Sequence, residues 1–137
     1  MVLKKKSFQK PPKKLTSVGL NMFVNTIKLR TLPLPVVEVS LKKLLWHFDM
    51  PVWEKDGTDD WNLTPREVLN KERYTKDHQK IVAEANTRYP IIITRYKSRY
   101  VILDGVHRLV KVYSRGKRTI KAKIIPPKYL AMRQYRS

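Results

Sequence analysis

The sequence predicts a small mixed α/β domain, a mixed sheet with packed helices, carried between two basic tails. Three observations predict it. Short runs of β-branched residues alternate with segments of helical periodicity along residues 34–126. A complete helix-start signal, "LTPRE", stands in the middle of that span. The stretch "YVILDGVHRLVKVYSRG" then reads as strand, glycine turn, helix and terminating glycine in one unbroken run.

Residues 1–33 read as a basic N-terminal arm. "MVLKKKSFQKPPKK" clusters lysines that repel one another, and Pro11-Pro12 cannot enter a helix interior. Lys4, Lys5, Lys6, Lys10, Lys13 and Lys14 are its candidate nucleic-acid contacts. A mitochondrial presequence is the rival reading, against which stands the scarcity of Arg and Ser. "SVGLNMFV" alternates Val18, Leu20, Met22 and Val24 as an edge strand would.

The domain is expected to open at "PVVEVSL", where Val36, Val37 and Val39 favour a strand and Ser40 caps a short helix carrying Leu41, Leu44 and Leu45. Asp56-Gly57 marks a turn in a loop around which Trp46, Trp53 and Trp61 pack. In "LTPRE", Thr64 is the cap, Pro65 enters the first turn and Glu67 closes a capping box. A further helix is predicted from about Thr75 to Asn86, with Ile81, Val82 and Ala85 inward and Asp77, Lys80 and Glu84 outward. Ile91, Ile92 and Ile93 form a buried strand, a charged turn follows, and Tyr100 to Leu103 return. Leu109, Val110 and Val112 mark a helix that stops at Gly116, and Thr119 to Ile125 form the last strand. Residues 127–137 read as a basic C-terminal tail.

The formal charge is +19 over 137 residues, and it is unevenly spread. Residues 1–30 carry eight Lys/Arg and no acid, residues 31–93 nine against ten, and residues 94–137 thirteen against Asp104 alone. A polyanion suits such ends, because each neutralised phosphate releases condensed counterions. Nucleic acid, or a larger nucleoprotein assembly, is therefore the expected partner. No cysteine occurs, which excludes disulfides, thiolate metal sites and cysteine nucleophiles. No stretch has the length and apolarity of a membrane span, and no secretion signal is read, so an intracellular protein without a membrane partner is expected.

"DGVHR" is the chemical focus. A helix beginning at Val106 would present unpaired backbone N–H groups and the positive end of its dipole to an anion. Gly105 would let the anion approach, His107 would donate to it and Arg108 would clamp two oxygens. Asp104 would cap the helix, orient Arg108 or hold Mg²⁺. Lys76, His78 and Lys80, on the preceding helix, are possible additional contacts, with His78 able to face the same cleft as His107. The three histidines have no metal-ligand spacing, and His47 is read as packing only.

"YVILDGVHRLVKVYSRGKRTIKAKII", preceded by "YPIII", resembles the core of the ParB/sulfiredoxin superfamily over roughly residues 34–126. The resemblance implies a nucleotide site for ATP, ADP or CTP with Mg²⁺. Sulfiredoxins attack with a cysteine placed before a His-Arg pair. Val106 stands at that position and has no nucleophile, so that chemistry is excluded. Chromosome-partition ParB proteins carry Gly-x-Arg-Arg and continue into further domains; His107 replaces the first arginine, and no such continuation is read. The free serine kinases carry Asp-Gly-His-His-Arg, which Asp104, Gly105, His107 and Arg108 match. Their general base would correspond to a glutamate such as Glu67 or Glu72, neither of which aligns decisively. Three readings stay open: a DNA- or nucleoprotein-associated nucleotide- or phosphate-binding module, a small-molecule kinase or nucleotide hydrolase, and an architectural component of a virion or ribonucleoprotein.

Overall fold

The computed structural model describes residues 11–20, 26–58 and 60–131. Short helices α1 (Lys13–Thr16) and α2 (Thr26–Arg30) precede strand β1 (Val37–Ser40), and two 3₁₀ segments follow, Leu41–Lys43 and Leu45–Asp49. Then come α3 (Pro65–Leu69), α4 (Lys76–Glu84), β2 (Ile91–Tyr96), β3 (Arg99–Asp104), α5 (Val106–Ser114), β4 (Thr119–Ile125) and α6 (Lys128–Ala131). One mixed sheet runs in the order β1-β4-β2-β3: β4 lies antiparallel to β1 and parallel to β2, and β3 is antiparallel to β2. The predicted fold class holds.

Local chemistry accounts for the elements that frame the site. Lys97 and Ser98 both adopt positive φ, the conformation that lets a two-residue loop follow the twist of β2 and β3. At α3 the capping box is complete, with Thr64 Oγ1 accepting from the Glu67 N–H and Glu67 Oε1 from the Thr64 N–H at 2.8 Å. The start of α4 is capped from a distance. Asp56 accepts from the backbone of Lys76 and Asp77 at 2.8 and 3.1 Å, whereas the adjacent Thr75 makes no side-chain cap. α5 ends before Gly116, whose φ of 74° reverses the chain.

The main core fills one face of the sheet, with Ile91, Ile93, Leu109 and Val110 joined by Leu44, Phe48 and Leu63. Ile92 points the other way and packs with Leu29, Ile125 and Leu130 in a second cluster. Packing thus extends past both edges of the 34–126 span. Leu15 is fully buried and Leu20 nearly so, both in the main core, while Leu29 and Leu130 build the second. Leu15 and Leu20, set close to the lysines in sequence, tie residues 11–20 to the main core. Ser17–Leu20 form a turn instead of the expected strand, and Met22 and Val24 lie outside the described residues.

His47 does more than pack. Fully buried, it contacts the Leu44 carbonyl through Nδ1 at 2.8 Å and accepts the Ile102 N–H at Nε2, 3.0 Å away. Both contacts fix the neutral tautomer protonated on Nδ1. Burial lowers its pKa from 6.5 to about 4, against the raising effect of the Leu44 hydrogen bond. Beside it the Trp46 indole donates to the Tyr100 carbonyl at 3.0 Å.

Candidate functional site

β3 delivers Asp104 to the sheet end, Gly105 turns the chain, and α5 starts at Val106, as the motif predicts. The five residues then divide their work.

Gly105 has φ 120°, and a Cβ there would stand 2.5 Å from Ile91 Cγ2. The glycine is needed because β2 passes directly beneath the turn, a packing demand that differs from the expected opening of space for an anion. Arg108, only 16% exposed, donates to the Pro90 carbonyl at 2.7 Å and to Asp104 Oδ2 at 3.3 Å. The same oxygen accepts from Arg30, with Nη2 2.7 Å away. The expected phosphate clamp is therefore engaged as a strut joining α5, β3, the start of β2 and α2. Asp104 orients Arg108, one of its three predicted roles. It makes no cap bond to α5, and two guanidiniums already supply the positive charge that Mg²⁺ would bring. Among the described residues no group of three His, Cys, Asp or Glu could hold a metal ion. Val106 is half-buried against the main core.

His107 turns the other way. Its Nε2 lies 2.9 Å from Nδ1 of His78, so the two imidazoles share one proton across the gap between α4 and α5. Trp53 lies flat against both rings, at centroid distances of 4.7 Å to His78 and 4.1 Å to His107. Behind His78, Glu54 Oε2 stands 3.5 Å from Nε2, an ion-pair separation longer than a tight hydrogen bond. A carboxylate and two imidazoles thus form a line ending at His107. The shared proton can sit on either ring: on His78 Nδ1 it leaves His107 protonated at Nδ1, a donor toward the cavities, and on His107 Nε2 it leaves that Nδ1 an acceptor.

His107 borders two cavities. One, of about 340 Å³, lies toward α4 and is lined by Ile81, Glu84, Tyr89, Gly105 and Arg108 as well. The other, of about 270 Å³, opens toward Leu20, Thr26, Val52, Trp53 and Val106. A larger depression of about 650 Å³, by Ser40 and Tyr113, touches none of these residues. Charge at the corner is mixed: Arg30 and Arg108 meet Asp104, Glu84 lines the cavity toward α4, and α5 adds about half a unit of positive charge at its first turn.

His78 meets His107, but it is buried and lines neither cavity, so only His107 faces the open space that both were expected to share. The inward face assigned to α4 needs correction. His78 is its buried residue, Val82 is half-buried and Ile81 is exposed, because the Trp53 plane accepts a flat imidazole where an aliphatic chain would leave gaps. Lys76 and Lys80 are exposed and border neither cavity. Lys13 and Lys14 are exposed on α1, while Lys4, Lys5, Lys6 and Lys10 lie outside the described residues.

Glu67 is committed to structure. Burial raises its carboxyl, but the bonds from the Thr64 backbone, the Tyr74 hydroxyl and the Thr64 hydroxyl, with Lys55 nearby, outweigh it and hold the group below its ordinary value. Glu72 is exposed. The carboxylate that faces the imidazoles is Glu54, which sequence reasoning missed along with the role of Trp53. Their adjacency in "PVWEKDG" was the sole local signal. No helix among the described residues is long and apolar enough to cross a membrane. Comparison of the chain with models of known protein families, with curated proteins and with solved structures finds no match in any of the three.

Proposed function

We propose that the β3–α5 corner binds a phosphorylated ligand, a nucleotide such as ATP, ADP or CTP with its Mg²⁺, and that the protein is a phosphate-binding module. Its basic ends associate it with nucleic acid or a nucleoprotein assembly. One observation carries the reading: His107, stacked on Trp53 and paired with His78, borders two cavities at the positive end of α5. The resemblance of roughly residues 34–126 to the ParB/sulfiredoxin superfamily supports it. In this reading His107 and the first amides of α5 meet the anion. Arg108 adds charge from behind without leaving Asp104.

Titration of ATP, ADP and CTP with Mg²⁺ tests it, by calorimetry on the wild type and His107→Gln. At least one nucleotide is expected to bind, with His107→Gln losing about tenfold, the worth of one charged hydrogen bond. No binding by any of them, or binding indifferent to His107→Gln, overturns the assignment.

A second reading, a small-molecule kinase or nucleotide hydrolase, is favoured by the line from Glu54 through His78 to His107. An acceptor hydroxyl or water would yield its proton to this line as its oxygen attacks the terminal phosphorus and the nucleoside diphosphate leaves. Turnover with free serine, other hydroxyl acceptors or water, lost in Glu54→Gln, would establish it. A blank across that panel leaves the binding module.

A further inference from the structure

The end of the β2–β3 hairpin reads "RYKSRY", residues 95–100, and alternates cations with aromatic rings. In the fold each cation is laid on a ring. The guanidinium of Arg95 is 5.0 Å from the Tyr100 centroid, which Lys43 approaches to 5.7 Å. Arg99 covers Trp46 at 4.1 Å, and Lys97 stands 5.3 Å from Tyr96. The register explains the first of these placements, since Arg95 pairs with Tyr100 across the strands. Lys97 also donates to the Ser17 carbonyl at 3.2 Å, which fastens α1 with its exposed Lys13 and Lys14 against the hairpin tip.

No acid occurs in residues 85–103, and Asp104, at the opposite end of β3, is held by Arg30 and Arg108. Among the described residues none of Lys43, Arg95, Lys97 and Arg99 makes an ion pair with a carboxylate, so gathering them at one corner costs repulsion. Neutral side chains would cover the same rings without that cost. Rings that hold guanidiniums flat also reduce the freedom those groups lose on meeting a phosphate, and the outer face of a stacked guanidinium is a plane on which an unpaired base can lie.

We infer that this hairpin end, with Lys43 and Trp46 beside it, is a docking surface for single-stranded nucleic acid, its cations on the phosphates and its flat groups against the bases. The surface is distinct from the cavities at His107 and lies on the folded domain, with α1 beside it. It goes beyond the nucleotide reading, and the two fail independently, one by nucleotide titration and the other by oligonucleotide titration.

The test uses the full chain and a fluorescent single-stranded 20-mer RNA of mixed sequence, titrated by anisotropy across a salt series. The variants are Arg95→Ala/Lys97→Ala/Arg99→Ala and, as a control of equal charge change elsewhere, Arg73→Ala/Arg88→Ala/Arg115→Ala. Melting curves confirm that both fold. The hairpin variant is expected to flatten the slope of log affinity on log salt by about 2 and to bind about tenfold or more weakly at 0.1 M salt. A charge-retaining Arg95→Lys/Arg99→Lys variant keeps the slope but loses affinity, because an ammonium offers no plane. Equal losses in the hairpin and control variants overturn the inference, as does wild-type binding that is undetectable or at least as tight to duplex DNA of the same length.

Discussion

Two tryptophan–imidazole clusters flank the path from β3 into α5, and they use the same side chains differently. Under Trp46, His47 has both ring nitrogens committed to backbone groups and is held neutral. Under Trp53, His78 and His107 address one another, with Glu54 next in line. Backbone partners cannot change protonation, so the first cluster is a fixed tie. Side-chain partners can, so the second can accept, pass or present a proton. Contact with a tryptophan ring therefore does not mark a functional histidine; the identity of the hydrogen-bond partners does.

Four outcomes would break or sharpen this contrast. The largest comes from Gly105→Ala, which forces a Cβ against Ile91 at a positive φ and displaces His107 with the start of α5. A loss of about 4 kcal/mol is expected from strain and overpacking together, read as a urea midpoint shift. Acid comes next, through His47. Its folded pKa of about 4 lies below the value of 6.5 expected when unfolded, so its contribution is intact above pH 6.5 and drains away as pH falls to 4. The loss should approach about 3 kcal/mol, and His47→Gln should remove about one proton from the pH dependence over that interval. An unaltered pH dependence in that variant would mean the imidazole is not the titrating tie.

Arg108→Ala should cost about 2 kcal/mol of stability by stranding the Pro90 carbonyl and leaving Asp104 to Arg30 alone, while nucleotide affinity changes little. A collapse of affinity with unchanged melting would restore Arg108 as a direct phosphate ligand. The smallest stability effect belongs to His107→Gln, below about 1 kcal/mol because the ring is only half-buried and the amide can still reach His78. Here the ligand titration should carry the signal.

Local patterns were legible where the physics is local. The Thr64 to Glu67 capping box, the Asp104-Gly105 turn and the stop before Gly116 depend on neighbours within four residues, and all three stand in the fold. What the sequence hid depends on distance along the chain. Arg30 meets Asp104 across 74 residues, and Asp56 caps a helix 20 residues on. No spacing rule reports such pairs. Hydropathy misled at α4 because it counts histidine as polar, whereas an imidazole flat on an indole behaves as an apolar surface. It misled at the arm because lysines dominate the composition while Leu15 and Leu20 do the packing.

β3 is the last strand of its sheet, and its outward groups at Tyr100 and Ile102 are taken by the Trp46 indole and by His47. A strand so covered offers no template for another chain to zip onto, so this margin resists the edge-to-edge growth that leads to aggregates. Protonating His47 removes the acceptor from Ile102. Acid would therefore remove part of the cover that this margin has.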